Sequence, residues 1–396
     1  MQGAAVAVIG AGVLLFFYTY FGYPALLWCV GLIRPRVLPS KLDSIEPESW
    51  PRISVSVPAY NEEDQIEGLI ESLLAIDYPR DRMQILITSD ASTDRTDEIV
   101  RRYRGQGIEL LRLDERGGKT KAESAASEQL SGDIIVNTDA SIRIDADALK
   151  ALMRVFSDSE IGCASGRDVS VGEDSNTANV GESGYVGYEM SVRDLETRVD
   201  GIVGASGCFY AIRANLHRLP LPESLSRDFA AALHTRENGY RPVSVNDAVC
   251  LVPRSPSLRK EYQRKVRTIT RGMRTLAYKR QLMNPLRFGW FSWMLVSHKV
   301  CRWALPWAAA ASLVALGALA VEHRIAAAFL AVSIVIGLLG WVGWLRAEEE
   351  NVPKVFSVPA FAIAGNVAAA HAFLRALRGA RDALWEPTRR DVVKAP

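Results

Sequence analysis

The chain lacks the cysteine patterns that build metal knuckles or redox centres. Its five cysteines (Cys29, Cys163, Cys208, Cys250 and Cys301) are scattered, with no Cys-x2-Cys pair and no Cys/His cluster, so they read as reduced, packed residues. An excess of charge is missing as well. The 47 Lys and Arg against 45 Asp and Glu give a formal +2 over 396 residues, which leaves no case for a nucleic-acid partner. No Gly-x-Gly-x-x-Gly follows the first strand candidate, which weakens a dinucleotide site. Gly117-Gly-Lys-Thr120 is not the phosphate loop of a triphosphatase, because Leu113 stands where the first glycine belongs. Residues 4–33 carry no charge and no basic lead-in, which argues against a cleaved signal peptide.

What is present is apolar length at both ends. Mean hydropathy is +0.04, high for a soluble protein, and the excess sits at the termini. Residues 4–33 exceed the roughly 20 residues that a span requires. Arg34, Arg36 and Lys41 follow, so the positive flank puts the N-terminus outside and the middle of the chain in the cytoplasm. The division expected is an N-terminal transmembrane helix over 1–37, a linker over 38–51, a cytoplasmic domain over 52–280 and an interfacial segment over 281–302. Two transmembrane helices follow over 303–345, then a third apolar segment over 355–374 and a basic tail over 375–396. Pro359, Asn366 and His371 interrupt that third segment. A full crossing would leave Arg375, Arg378, Arg381, Arg389 and Arg390 outside, so a re-entrant or interfacial course is favoured.

Between the apolar ends the character is α/β. Strands are expected at 53–57, 84–88, 108–113, 134–136 and 161–166, with helical spacing at Ile66, Leu69, Ile70, Leu73 and Leu74. The alternation predicts a parallel sheet with helices on both faces. Residues 189–198 are polar with helical spacing and read as a surface helix. Three loops, 58–63, 89–96 and 137–141, then gather at the carboxyl ends of the strands, where open α/β sheets bind ligands. Asp139 ends its strand there, placed either to take a hard divalent cation or to cap the next helix. Asp94 suits helix capping and Asp90 ligand contact. Lys119 follows two glycines, in a turn where a long cation can approach a diphosphate. Gly204, Ser206 and Gly207 let a sugar ring come close to the backbone, or simply form a glycine-rich turn. Residues 259–276 form a basic amphipathic helix with Tyr262, Val266, Ile269 and Met273 on one stripe.

Val57-Pro-Ala-Tyr-Asn-Glu-Glu63, Ser89-Asp-Ala-Ser-Thr-Asp-Arg-Thr96, Gly117-Gly-Lys119 and Thr138-Asp-Ala-Ser141 occur in the order seen in family 2 glycosyltransferases. The resemblance covers about residues 50–275. It implies a GT-A fold that binds a nucleotide diphosphate sugar, a UDP-sugar by preference. Pro58, Tyr60 and Glu62 would line the nucleotide pocket, Asp90 would hold the base and Lys119 would approach the phosphates. Asp139 would ligate Mg2+ or Mn2+ bridging those phosphates. The family's metal motif is often Asp-x-Asp, whereas Ser141 replaces the second acid here.

The same resemblance implies that Asp228 is the catalytic base of an inverting transfer, although Arg227 stands where many relatives have another acid. Gly204, Ser206 and Gly207 would meet the acceptor, with Gln263, Arg264 and Arg267 near the diphosphate and acceptor. The Gln-x-x-Arg-Trp motif of processive cellulose, chitin and hyaluronan synthases is not met, because Val266 and Arg267 fill its last two places. The expectation is a bacterial plasma-membrane glycosyltransferase with a cytoplasmic catalytic domain, building a β-linked polysaccharide of the poly-N-acetylglucosamine or hyaluronan kind. Single transfer to a polyprenyl phosphate or other lipid is the second reading. A non-catalytic, nucleotide-sugar-binding subunit of a membrane complex is the third. An accessory membrane subunit would be a further partner.

Overall fold

The computed structural model describes residues 2–33, 49–171, 177–253, 257–349 and 352–380. The basic flank at 34–41, most of the linker and the arginines beyond 380 lie outside the described residues.

Eight strands form one sheet in the order β3-β2-β1-β4-β7-β6-β8-β5. They are β1 (Ile53–Ala59), β2 (Met83–Ser89), β3 (Ile108–Arg112), β4 (Ile134–Thr138), β5 (Arg143–Ile144), β6 (Ile161–Val171), β7 (Phe209–Arg213) and β8 (Arg241–Pro253). The first four are parallel, as expected. The fully parallel sheet is corrected beyond β4. Strand β7 runs antiparallel to both β4 and β6, and β5 runs antiparallel to β8. Only Phe209–Arg213 of the small-residue stretch is strand; residues 203–208 are a loop crossing the strand ends.

The helices are α1 (Gln2–Ile33), α2 (Ile66–Leu74), α3 (Thr96–Arg102), α4 (Lys119–Ala126), α5 (Ala148–Arg154), α6 (Thr177–Val199), α7 (Arg227–Glu237), α8 (Leu258–Tyr278), α9 (Trp290–Ala320), α10 (Arg324–Leu345) and α11 (Lys354–Leu377). Period-2 alternation in β1 turns Ile53, Val55 and Val57 onto Ile66, Leu69, Ile70 and Leu73 of α2, all of them buried. Each such side chain contributes about 1.5–3 kcal/mol of transfer energy. On the opposite face Ser54 accepts the Gly132 amide at 2.8 Å and donates to Gln84 at 2.6 Å. Gly132 is required there, since a Cβ would lie 2.4 Å from the Ser54 nitrogen.

Helix α6 is no surface helix. Glu196 is fully buried and meets Tyr23 Oη at 2.6 Å and His298 Nδ1 at 2.6 Å, while His298 Nε2 lies 3.1 Å from Glu189. Its acids are satisfied by α1 and α9, and Val192 and Val199 share an apolar cluster with Tyr23, Leu27 and Phe291. This helix therefore packs on the apolar helices, and the chain re-enters the sheet from its other end as β7.

Among the described residues four helices, α1, α9, α10 and α11, are long and apolar enough to cross a membrane. Two expectations change. Residues 290–302 continue into α9 rather than forming a separate segment, and 354–377 is one unbroken helix with Pro359 inside it. Gly343 of α10 and Gly12 of α1 sit at the tightest crossings. A Cβ on them would lie 2.2 Å from the Phe356 carbonyl and 2.3 Å from the Ser312 hydroxyl.

Candidate active site

Strand ends β1, β2 and β4 open onto one edge, and their loops are tied together. Asn61 and Ala91 take positive φ of 51° and 56° there. Asn61 Oδ1 accepts the Thr93 amide at 2.8 Å, and Thr96 Oγ1 accepts the Glu62 amide at 2.9 Å. Asp94 accepts the Thr96 amide at 2.9 Å and so caps α3. Pro58 lies in β1, Glu62 is buried, and the Arg116 guanidinium stacks 3.9 Å from the centre of the Tyr60 ring. Asp90 is buried, and its two oxygens accept the amides of Gly117 and Gly118, each at 2.7 Å. It fixes the turn ahead of Lys119, a role the sequence did not disclose. Its oxygens keep lone pairs for a further donor.

Gly118, at φ 90°, delivers Lys119 as the first residue of α4. Lys119 Nζ lies 2.6 Å from Asp139 Oδ1, 3.1 Å from the Gly207 carbonyl and 4.0 Å from Glu123 Oε1. Burial works against the ammonium, but Asp139, Glu123 and Asp228 together outweigh it and hold its pKa above the usual lysine range. Burial pushes the Glu123 carboxyl up, against the pull of Lys119 and Arg227.

Asp228 lies in the first turn of α7 and accepts a short hydrogen bond from Ser226 Oγ. Arg227 points elsewhere. It reaches Ser124 Oγ at 2.7 Å, the His217 carbonyl at 3.1 Å and Glu123 Oε2 at 3.5 Å. The residue that departs from the family pattern thus ties α7 to the Lys119 helix. Arg227→Glu should therefore not restore a second catalytic acid. It would face the buried Glu123 and should lower stability by about 3 kcal/mol or more, read as a lowered melting temperature. A variant as stable as the parent would contradict this.

Helix α8 supports the loop ahead of Asp228 through residues not anticipated. Arg271 donates to Thr120 Oγ1 at 2.7 Å and to the Leu225 carbonyl, and Thr275 Oγ1 accepts the Ser226 amide at 3.0 Å. Gln263 is exposed, and Arg264 is bound by Glu261 at 2.7 and 2.8 Å. Arg267 lies one turn before Arg271 and shares its face of the helix. The basic pattern pointed to this helix; which arginine reaches that loop depends on tertiary packing.

The loop 203–208 closes the site. Gly207 touches Asp228: a Cβ there would lie 2.9 Å from its Oδ2. Ser206 Oγ donates to Asp168 at 2.7 and 2.8 Å. Burial raises the Asp168 carboxyl pKa, Arg193, Ser206 and Cys250 pull it down, and Asp139 pushes it further up. No sequence motif marked Asp168.

The oxygen donors here suit a hard divalent ion. Asp139 and the largely buried Ser141 follow the end of β4 two positions apart, and no group of three His, Cys, Asp or Glu that could hold a metal ion occurs among the described residues. One carboxylate is enough for an ion that arrives on substrate phosphates and keeps its waters.

A family model described as glycosyl transferase family 2 matches residues 54–217. Over those residues the chain is similar to glycosyl transferase family 2. It is 29% identical over 140 residues to an N-acetylglucosaminyltransferase of a Rhizobium species, covering 34% of this chain and 31% of that protein. It is 31% identical over 171 residues to a beta-monoglucosyldiacylglycerol synthase of a Synechocystis species, covering 42% and 36%. The alignments therefore span about a third of these relatives' own length. Among solved structures, a mannosyltransferase of Pyrobaculum calidifontis, in complex with GDP-Man and Mn2+, aligns over 94% of this chain and 99% of its own. The TM-score is 0.71 at 23% identity, which establishes a shared GT-A fold.

Proposed function

We propose that the protein is a membrane-bound inverting glycosyltransferase that moves one sugar from a nucleotide diphosphate sugar to a membrane-anchored acceptor. The observation that carries this is Gly207. Its carbonyl accepts from Lys119, and its Cα packs on the carboxylate of Asp228. Donor and acceptor sides of a transferase site are thereby adjacent through one residue.

In the reaction, Asp90 and Tyr60 would position the nucleoside, and Lys119 at the head of α4 would face the diphosphate. The acceptor hydroxyl oxygen bonds to the anomeric carbon, the bond to the diphosphate oxygen breaks, and its electron pair leaves with the nucleotide. Asp228 takes the hydroxyl proton. Asp139, with Ser141, would hold a Mg2+ or Mn2+ ion, which when bound supplies charge stabilisation to the leaving diphosphate.

The glycine-width contacts of α10 with α11 and of α1 with α9 close those two seams to a glycan, and a single transfer needs no path through the helices. The four apolar helices support a membrane location, with the catalytic domain on the cytoplasmic side where nucleotide sugars are made.

The test is nucleotide diphosphate release by the full chain in detergent, with UDP-, GDP- and TDP-sugars supplied in turn. Release from one donor, dependent on Mg2+ or Mn2+, is expected, and product analysis should show one added sugar. Saturable nucleotide binding with no release, even when membrane lipid extract is added, would overturn the reading in favour of a binding subunit. A ladder of products would overturn single transfer.

A further inference from the structure

Two cations beside the loop 203–208 have no carboxylate in contact. Lys299, on α9, makes no hydrogen bond or ion pair with any described residue, and its ammonium lies 3.7 Å from where a Cβ on Gly204 would stand. Arg193, on α6, gives one guanidinium nitrogen to the Ala205 carbonyl at 3.4 Å, while its Nη1 is buried without a partner. Glu196 and Asp228 lie near enough to Lys299, and Asp168 near enough to Arg193, to feel the charge, but none forms an ion pair with either cation, and Asp168 is held by Ser206. Glu196 is already taken by Tyr23 and His298, and Asp228 by Ser226. The Phe229 ring is 5.6 Å away and adds only a weak cation–π contact. Both side chains are largely but not wholly buried, so a ligand can reach them. A buried cation without an ion-pair partner is costly, and two facing one loop from separate helices mark a place for an anion.

We infer that Lys299 and Arg193 bind the phosphate of a glycosyl-phosphate lipid, whose sugar hydroxyl then lies at Asp228. This rests on the transferase reading above. The loop fixes the spacing: Gly204 meets Lys299, Ala205 meets Arg193 and Gly207 meets Asp228. Three residues reach about 11 Å at most, so one sugar ring fits between the phosphate and the hydroxyl that reacts. Lys299 belongs to one of the four membrane-length helices, which places the phosphate at the level of lipid head groups. An ammonium and a guanidinium together suit a phosphate's geometry. The bonds made and broken are those given above. The phosphate is a handle and stays intact.

The experiment uses the full chain in phosphatidylcholine nanodiscs with its donor. Four acceptor probes are compared: a polyprenyl-diphosphate monosaccharide, a neutral monoglycosyl diacylglycerol, a polyprenyl phosphate and a water-soluble methyl ester of a sugar phosphate. The diphosphate-linked sugar is expected to stimulate nucleotide release at least tenfold more than the neutral glycolipid or the bare polyprenyl phosphate. Lys299→Gln and Arg193→Gln should each raise the KM for that lipid about tenfold, with donor KM within about twofold, and Lys299→Arg should restore most of the loss. Equal use of the neutral glycolipid, or an unchanged acceptor KM in both variants, would overturn the proposal. So would loss of nucleotide binding alongside acceptor binding, since it marks a merely structural role. Equal use of the soluble ester would overturn the assignment to a lipid. Absence of release with every donor and probe would instead remove the transferase reading beneath it.

Discussion

Asp228→Asn is expected to cut sugar transfer by about 10³-fold, within the range a positioned general base supplies. Nucleotide affinity should stay within about twofold. The substitution keeps size and shape where both matter. Gly207 lies against Oδ2, and Ser226 Oγ donates to Oδ1, an interaction that an amide oxygen also accepts. What is lost is the ability to take a proton as the acceptor oxygen attacks. The loss should therefore appear equally in kcat and kcat/KM, as for an interaction made only in the transition state. The fold should not suffer, because Lys119 retains Asp139 and Glu123. Removing one negative charge also relieves Glu123, whose carboxyl Asp228 helps to push up. Steady-state release assays beside nucleotide titrations would check this. Activity within tenfold of the parent would remove Asp228 as the base and direct attention to Asp168, another carboxylate close to the loop.

Much of the donor side was legible in the sequence because its pieces are local. A β-branched run ending in Asp139, two glycines before Lys119 and Asp94 ahead of Thr96 each make their structure from neighbours in the chain. The acceptor side was less legible. Lys299 comes from a membrane-length helix, Asp168 from the middle of a strand and Arg271 from one of many similar arginines, and each acquires its meaning from a partner about 40 to 150 residues away. Buried polar groups with distant partners look like surface residues in a sequence. That is why the helix bearing Glu189 and Glu196 reads as exposed, although His298 binds both acids and Arg302 binds Glu189. Strand direction is hidden for a related reason: alternation tells which face is buried, and the reversal at β7 follows from where α6 packs. The unbroken α11 shows that Pro359, Asn366 and His371 do not interrupt a helix whose other neighbours sustain it.

Lys119→Met should do two things that no merely surface lysine would do. It should weaken nucleotide binding about 100-fold, through loss of the cation facing the diphosphate. It should also lower stability by about 3 kcal/mol near pH 8, because the buried Glu123 and the half-buried Asp139 are left without their shared ammonium. The second effect carries a pH signature. Burial already holds the Glu123 carboxyl above its ordinary range, so folding favours its protonated form and its contribution to stability rises as pH falls. Removing Lys119 takes away one of the two cations that restrain this shift, leaving Arg227. The variant's deficit should thus shrink between pH 8 and pH 5, as Glu123 takes up a proton and the uncompensated charge disappears. In the parent, Lys119's own contribution is complete at both values, since its pKa is raised from an already alkaline one and is lost only above that range. Thermal melts of both proteins at the two pH values, with nucleotide titrations at pH 8, separate these effects. A deficit equal at both pH values would mean that Glu123 is not the group left bare. Unaltered nucleotide affinity would mean that Lys119 serves only to neutralise Asp139.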